Sequence, residues 1–233
     1  MSCILHIETS TKVCSVALSD NGACIFDKAD FDGPNHGTQC GVFVDEALSF
    51  ANSHAIPVDA VAVSEGPGSY TGLRIGYSMA KGVAYGYGVP LIALPTLEVM
   101  SVPVLLFHEE IEDDALLIPT IDARRMEVYS AVYNRALKPV RGIQADVVDS
   151  DTYKEYLDRG PVYFFGDGSD KLRSVIQHPN AHFIANINPL AKYMFPLAER
   201  KFVREEFADV AYSEPFYLKD FVAIKSKDPL ASL

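Results

Sequence analysis

Residues 3–12, Cys3-Ile4-Leu5-His6-Ile7-Glu8-Thr9-Ser10-Thr11-Lys12, decide how the chain is read. An apolar run this short, ended by an acid and a hydroxyl-rich turn, is the pattern of a buried strand. Cys14 to Leu18 makes a second strand, Asp20-Asn21-Gly22 closes a hairpin, and Ala23 to Phe31 gives a third. From Thr38 to Ser53 the pattern turns helical, with Phe43, Ala47, Phe50 and Ala51 on one face and Asp45, Glu46, Ser49 and Asn52 opposite. A strand from Ala60, a glycine loop, a helix from Leu73 to Tyr87 and a strand from Val89 to Leu94 complete the order β-β-β-α-β-α-β. That order predicts an α/β layer opening on a meander.

The opening then repeats. Ile118 to Asp122 is again an apolar strand ended by an acid, followed by a polar turn and the strand Val128 to Tyr133. Setting Glu8 against Asp122 aligns strand, acid, turn and strand, which predicts two subdomains on one plan. The second half is less regular: a strand at Pro161 to Phe165, a Gly166-Asp167-Gly168 turn, a helix from Pro189 to Lys201 and an extended stretch from Ser213 to Lys219. The acidic run Glu109 to Asp114 reads as a solvated loop between the halves. The expected division is residues 1–98 with about 188–215 as the first subdomain, 99–187 as the second, and 216–233 as a tail.

Gly66-Pro67-Gly68-Ser69-Tyr70-Thr71-Gly72-Leu73-Arg74-Ile75-Gly76 joins strand to helix. Such a junction can bring backbone N–H groups to a phosphate or to another protein surface. The spacing of Gly66, Gly68 and Gly72 is one residue too long for a dinucleotide fingerprint, and no P-loop Gly-Lys-Ser/Thr follows. Gly72, Gly76, Ala80, Ala84 and Gly88 form a small-residue stripe that predicts tight packing, internally or across a two-fold axis. Gly76, Gly82, Gly86 and Gly88 each cost a helix up to ~1 kcal/mol against alanine, which again suggests a packing demand.

The chain has 233 residues, 48% of them hydrophobic, with 20 Lys and Arg against 31 Asp and Glu. Its net charge of −11 repels a phosphate backbone, so any nucleic acid is expected to be reached through a more basic partner. No run is long enough for a membrane span and no secretory signature opens the chain. Cys3, Cys14, Cys24 and Cys40 lack a C-x-x-C pair and read as reduced thiols of a cytoplasmic protein.

The duplicated plan resembles the actin-like ATPase (ribonuclease H-like) fold. Four blocks narrow the resemblance to the TsaB (YeaZ) family, which is also labelled glycoprotease-like. They are Ile4 to Thr11 with Cys14 to Leu18, the glycine block Gly66 to Gly76, Ile121-Asp122-Ala123-Arg124 with Glu127-Val128-Tyr129, and Glu214-Pro215-Phe216-Tyr217-Leu218. The resemblance implies a non-catalytic dimerization subunit of the complex that transfers threonylcarbamoyl to adenosine beside the anticodon of tRNA. Its implied partners are the catalytic subunit TsaD and the ATPase TsaE, with self-association when free and tRNA met only indirectly. The interface expected on this basis is Leu73, Gly76, Tyr77, Ala80, Val83, Ala84 and Tyr87, with Thr38 to Phe50 beside it. Ala80→Arg is then expected to abolish pairing while leaving the fold intact. No cofactor or metal is implied, although residual ATP or ADP at a partner interface stays open. A vestigial nucleotide site would comprise Glu8, Thr9, Ser10, Gly66, Gly68, Asp122 and Arg124.

Three other classes compete. Catalytic relatives bind metal through H-x-x-x-H, and here His36 keeps the spacing with Cys40 in place of the second His, too few ligands for a stable site. An ATPase needs phosphate-binding turns, and Thr9-Ser10-Thr11 could supply one. In the second turn Arg124-Arg125 replaces small residues, either clamping phosphate or pairing with Glu127 and Asp122. Glu8 also stands where most of the family's relatives carry Asp. A peptidase would need a nucleophile elbow, and Ser64 and Ser69 lack G-x-S-x-G, leaving Cys40 near His36 as the sole pair. Direct tRNA binding would rest on the scattered Arg124, Arg125, Lys225 and Lys227.

Overall fold

The computed structural model describes residues 2–33 and 35–219, so Lys225, Lys227 and the tail beyond Lys219 lie outside the described residues. The first sheet contains β1 (Cys3–Glu8), β2 (Cys14–Asp20), β3 (Ala23–Asp30), β4 (Ala60–Gly66) and β5 (Leu91–Pro95) in the order β3-β2-β1-β4-β5. Interspersed with these strands are α1 (His36–Ser53) and α2 (Tyr70–Tyr87), and α3 (Thr96–Phe107) follows β5. The second sheet contains β6 (Leu116–Asp122), β7 (Glu127–Asn134), β8 (Pro139–Val147), β9 (Val162–Phe165) and β10 (Ala181–Ile184) in the order β10-β9-β6-β7-β8. Two single-turn helices, α4 (Lys154–Leu157) and α5 (Ser169–Leu172), accompany it, and α6 (Phe195–Val203) comes last.

The two orders are the same plan. β1 pairs antiparallel with β2 and parallel with β4, just as β6 pairs antiparallel with β7 and parallel with β9. Glu8 and Asp122 each end the equivalent strand. The internal repeat read from the sequence is therefore a repeat of topology, in a two-subdomain actin-like architecture.

Layering follows from which residues are apolar. Cys40, Val44, Ala47 and Ala51 of α1, with Tyr77, Ala80 and Ala84 of α2, close one face of the first sheet. Val99 and Val102 of α3 close the other, together with Met194, Leu197 and Ala198 of the returning α6 segment. Leu97, Met100 and Val104 of the same α3 pack onto the second sheet. Helix α3 is thus apolar all round because it lies between two sheets. That lack of a polar face, with Pro103 inside, hides it from a periodicity reading. The exposed edge strand β8 is likewise missed, and the last helix begins at Phe195 behind a 3-10 turn at Ala191–Tyr193 instead of at Pro189.

The interface expected on α2 needs correction. Leu73, Gly76, Tyr77, Ala80 and Ala84 all face inward, Ala80 with 0% exposure, because their stripe seats α2 on its own sheet. Only Val83 and Tyr87 of the seven look outward. Ala80→Arg would drive a cation into that core, so loss of the folded state is expected in circular dichroism, in place of the clean loss of pairing read from sequence.

Candidate functional site

The cleft lies where the carboxyl ends of β1, β4 and β6 meet, the usual place for a site in such sheets. It encloses about 700 Å³, lined by Ser10, Thr11 and Lys12, by Gly68 to Gly72, by Asp122 to Arg124, and by Asp167 and Phe216 to Lys219. Ser10, Gly68, Asp122 and Arg124 of the expected nucleotide residues are brought together there. Glu8, Thr9 and Gly66 are not: all three lie behind the wall.

Glu8 is fully buried and faces its own turn. One carboxylate oxygen accepts from the Ser10 amide at 2.6 Å and from the Ser10 hydroxyl at 2.5 Å, and the other accepts from the Ser64 hydroxyl. Burial pushes its pKa from 4.5 up to about 7, against the pull of those three donors. The folded state thus keeps the proton that the unfolded chain has released. The stability this gives is complete below pH 4.5 and is lost as pH rises through about 7. Glu8→Gln keeps the acceptor for Ser10 and can donate to Ser64 without charge. Its stability relative to the parent is expected to rise between pH 4.5 and 7, by up to roughly 3 kcal/mol. Urea midpoints at pH 4.5 and 8 read this, and an equal gap at both would disprove it.

The glycine block is explained by that turn. Ser69 donates its amide to the Ser10 carbonyl at 2.7 Å, and the Thr9 hydroxyl donates to the Gly72 carbonyl at 2.8 Å. A Cβ on Gly72 would overlap the Thr9 carbonyl oxygen, and one on Gly68 or Gly76 would overlap Ser10 or Thr9. The start of α2 is therefore pressed onto the first turn, and the close approach the glycines permit is to the chain's own backbone.

The second turn is open. Asp122 accepts from Lys171 at 2.5 Å and from the Arg124 amide at 2.8 Å. Burial alone would raise its carboxyl, but these donors hold it below the ordinary range. Asp167, whose carboxylate accepts from the Asp122 amide at 2.9 Å, is raised by burial. Lysines take both acids assigned to the arginines, Lys171 pairing with Asp122 and Lys219 with Glu127. Arg124 and Arg125 instead sit at φ 72° and 51°, and Arg124 lines the cleft with no ion pair among the described residues.

His36 and Cys40 part company. His36 donates through Nε2 to the Thr11 carbonyl at 2.6 Å, while the Cys40 thiol hydrogen-bonds Cys14, which raises the Cys14 thiol and lowers that of Cys40. Among the described residues no group of three His, Cys, Asp or Glu could hold a metal ion. Ser69 caps α2, accepting from the Gly72 amide at 3.3 Å, and Ser64 is engaged by Glu8, so neither is poised as a nucleophile.

A second surface lies on the outer side of α2, where Ile75, Ser78, Met79, Gly82, Val83, Gly86 and Tyr87 form a shallow apolar groove. Ser78, Gly82 and Gly86 repeat every four residues, a second small-residue stripe offset by two positions from the buried one. Nothing in the described chain comes within 4 Å of a Cβ at Gly82 or Gly86.

A family model described as TsaD, tRNA N6-adenosine threonylcarbamoyltransferase, matches residues 33–227. The chain is 30% identical over 230 residues to the tRNA threonylcarbamoyladenosine biosynthesis protein TsaB of Escherichia coli, covering 95% of this chain and 96% of that one. It belongs to the TsaB family. The Bacillus subtilis TsaB is 29% identical, covering 93% of both chains. A Pseudomonas aeruginosa structure described as similar to peptidase YEAZ superposes with a TM-score of 0.80 at 24% identity, covering 94% of this chain and 100% of that one, which supports the fold. Within this TsaB-family chain, sequence reading missed Lys12, Asp167 and the segment Phe216 to Lys219 as cleft residues, and Lys171 as the partner of Asp122. One signal was available: Gly66-Pro67-Gly68 after β4 recurs as Gly166-Asp167-Gly168 after β9, the same turn in the second copy.

Proposed function

We propose that this chain is a non-catalytic scaffold in the pathway that installs threonylcarbamoyladenosine in tRNA, pairing with a TsaD-type catalytic subunit through the outer face of α2. The outward Ser78-Gly82-Gly86 stripe carries the reading. Two helix-interior glycines, each costing up to ~1 kcal/mol, border an apolar groove that the described chain leaves uncovered, as a close-packing partner helix requires. Val83 and Tyr87 belong to this face, α1 flanks it, and self-pairing of the free chain would use the same surface. The absence of a chemical role is supported by Glu8, which is committed to Ser10 and Ser64. With a charge of −11, the chain meets tRNA through its partners, in the cytoplasm.

The test is reconstitution of threonylcarbamoyl transfer to tRNA by TsaD and TsaE with this chain added, omitted or supplied alone. Activity is expected only when this chain accompanies TsaD, and transfer by this chain alone would overturn the reading. A second reading, residual ATP or ADP binding at a partner interface, is favoured by Lys12 and Arg124 lining the cleft. Calorimetric titration of the heterodimer with ADP, compared with the Arg124→Ala heterodimer, tests it.

A further inference from the structure

The stretch after α6 is tied down along its length. Ala208 donates its amide to the Leu91 carbonyl at 2.8 Å, and Lys81 holds the Ala211 and Ser213 carbonyls at 2.9 and 3.0 Å. The Phe216 amide donates to the Glu65 carbonyl at 2.7 Å, and the Tyr217 ring lies 4.8 Å from that of Tyr70 at the start of α2. Gly66 is shaped for this contact: at φ 118° it occupies a conformation that suits glycine, and a Cβ there would come within 2.6 Å of the Phe216 carbonyl oxygen. All these anchors belong to the first subdomain. The next one does not: Lys219 pairs with Glu127 at the start of β7, in the second sheet.

Residues 216–219 thus cross from one subdomain to the other while lining the cleft between them. Other bridges are α3, packed between the sheets, and the return of the chain from β10 to the 3-10 turn at Ala191–Tyr193 on the first sheet. We propose that residues 214–219 are a latch that fixes the two subdomains against each other across the cleft, anchored by the Phe216 amide on the first and by Lys219 on the second. The latch is releasable by construction. Among the described residues, its ion pair to the second subdomain is a single partly exposed one, with side chains 46% and 20% accessible, a contact weak enough to open without unfolding either sheet.

Hydrogen exchange followed by mass spectrometry on the full chain tests this with two independent cuts. Lys219→Glu places like charges together, and Phe216→Pro removes the donor to Glu65 at a side chain that is 41% exposed. Each is expected to speed exchange about three- to five-fold in peptides covering 214–219 and also in the turn 122–128 of the other subdomain. The exchanged pair Lys219→Glu with Glu127→Lys is expected to restore protection in both peptides. Faster exchange confined to 214–219, or failure of the swap to restore the turn, would overturn the latch, since a merely docked tail would free itself alone.

Discussion

Gly82→Arg is expected to melt no lower than the parent and to lose its catalytic partner. The position is exposed, a Cβ there meets nothing within 4 Å, and any residue but proline improves on glycine in a helix interior by up to ~1 kcal/mol. The fold therefore has no reason to suffer. A partner helix seated on Ser78, Gly82 and Gly86 would meet a long cation where it needs a bare backbone, and burying that charge unpaired costs several kcal/mol. Partner-dependent transfer is expected to fall at least about 100-fold, with the heterodimer lost in sedimentation. An intact heterodimer in a well-folded Gly82→Arg chain would remove this face from the interface.

Gly72→Val, ten residues earlier on the same helix, has the opposite signature. Its Cβ would overlap the Thr9 carbonyl oxygen, and Thr9 cannot retreat because its hydroxyl holds the Gly72 carbonyl. Both segments are strand- or helix-anchored backbone, so the clash is relieved only by lifting α2 from the sheet. A loss of about 3 kcal/mol or more is expected, enough to deplete folded protein at 37 °C. Urea unfolding measures it, and Gly72→Ala showing a loss below about 1 kcal/mol would mean that the seam is looser than the geometry says.

These two glycines also mark where sequence reading stopped. Periodicity found the stripe Gly72, Gly76, Ala80 and Ala84 and its need for close approach, but a stripe has no sign: nothing in the spacing says whether it faces the chain's own sheet or another molecule. The repeat of strand, acid and turn was legible because β1 and β6 are short apolar runs with abrupt polar ends. Glu8 and Asp122 were aligned correctly, yet their environments diverged, one buried under α2 and the other open beside Lys171. That difference arises from segments far away in sequence, as does the cleft wall supplied by Phe216 to Lys219, and local pattern carries no trace of such contacts. Helix α3 escaped for a related reason, since an element covered on every side has no polar face to give it a period.

The return of α6 bears on how the chain is made. Ile4, Ala17, Ala60, Ala62, Ile92 and Leu94 of the first sheet rely on Met194, Leu197 and Ala198 for cover, and Ser15 and Ala93 receive their bonds from Ala191 and Lys201. A ribosome adding about 5–20 residues each second reaches those covering residues some 5–20 seconds after finishing β5. During that interval a nearly complete sheet waits with part of its apolar face bare. The nascent chain is then at its most vulnerable to aggregation, and truncation before Ala191 should yield a product that chaperones retain.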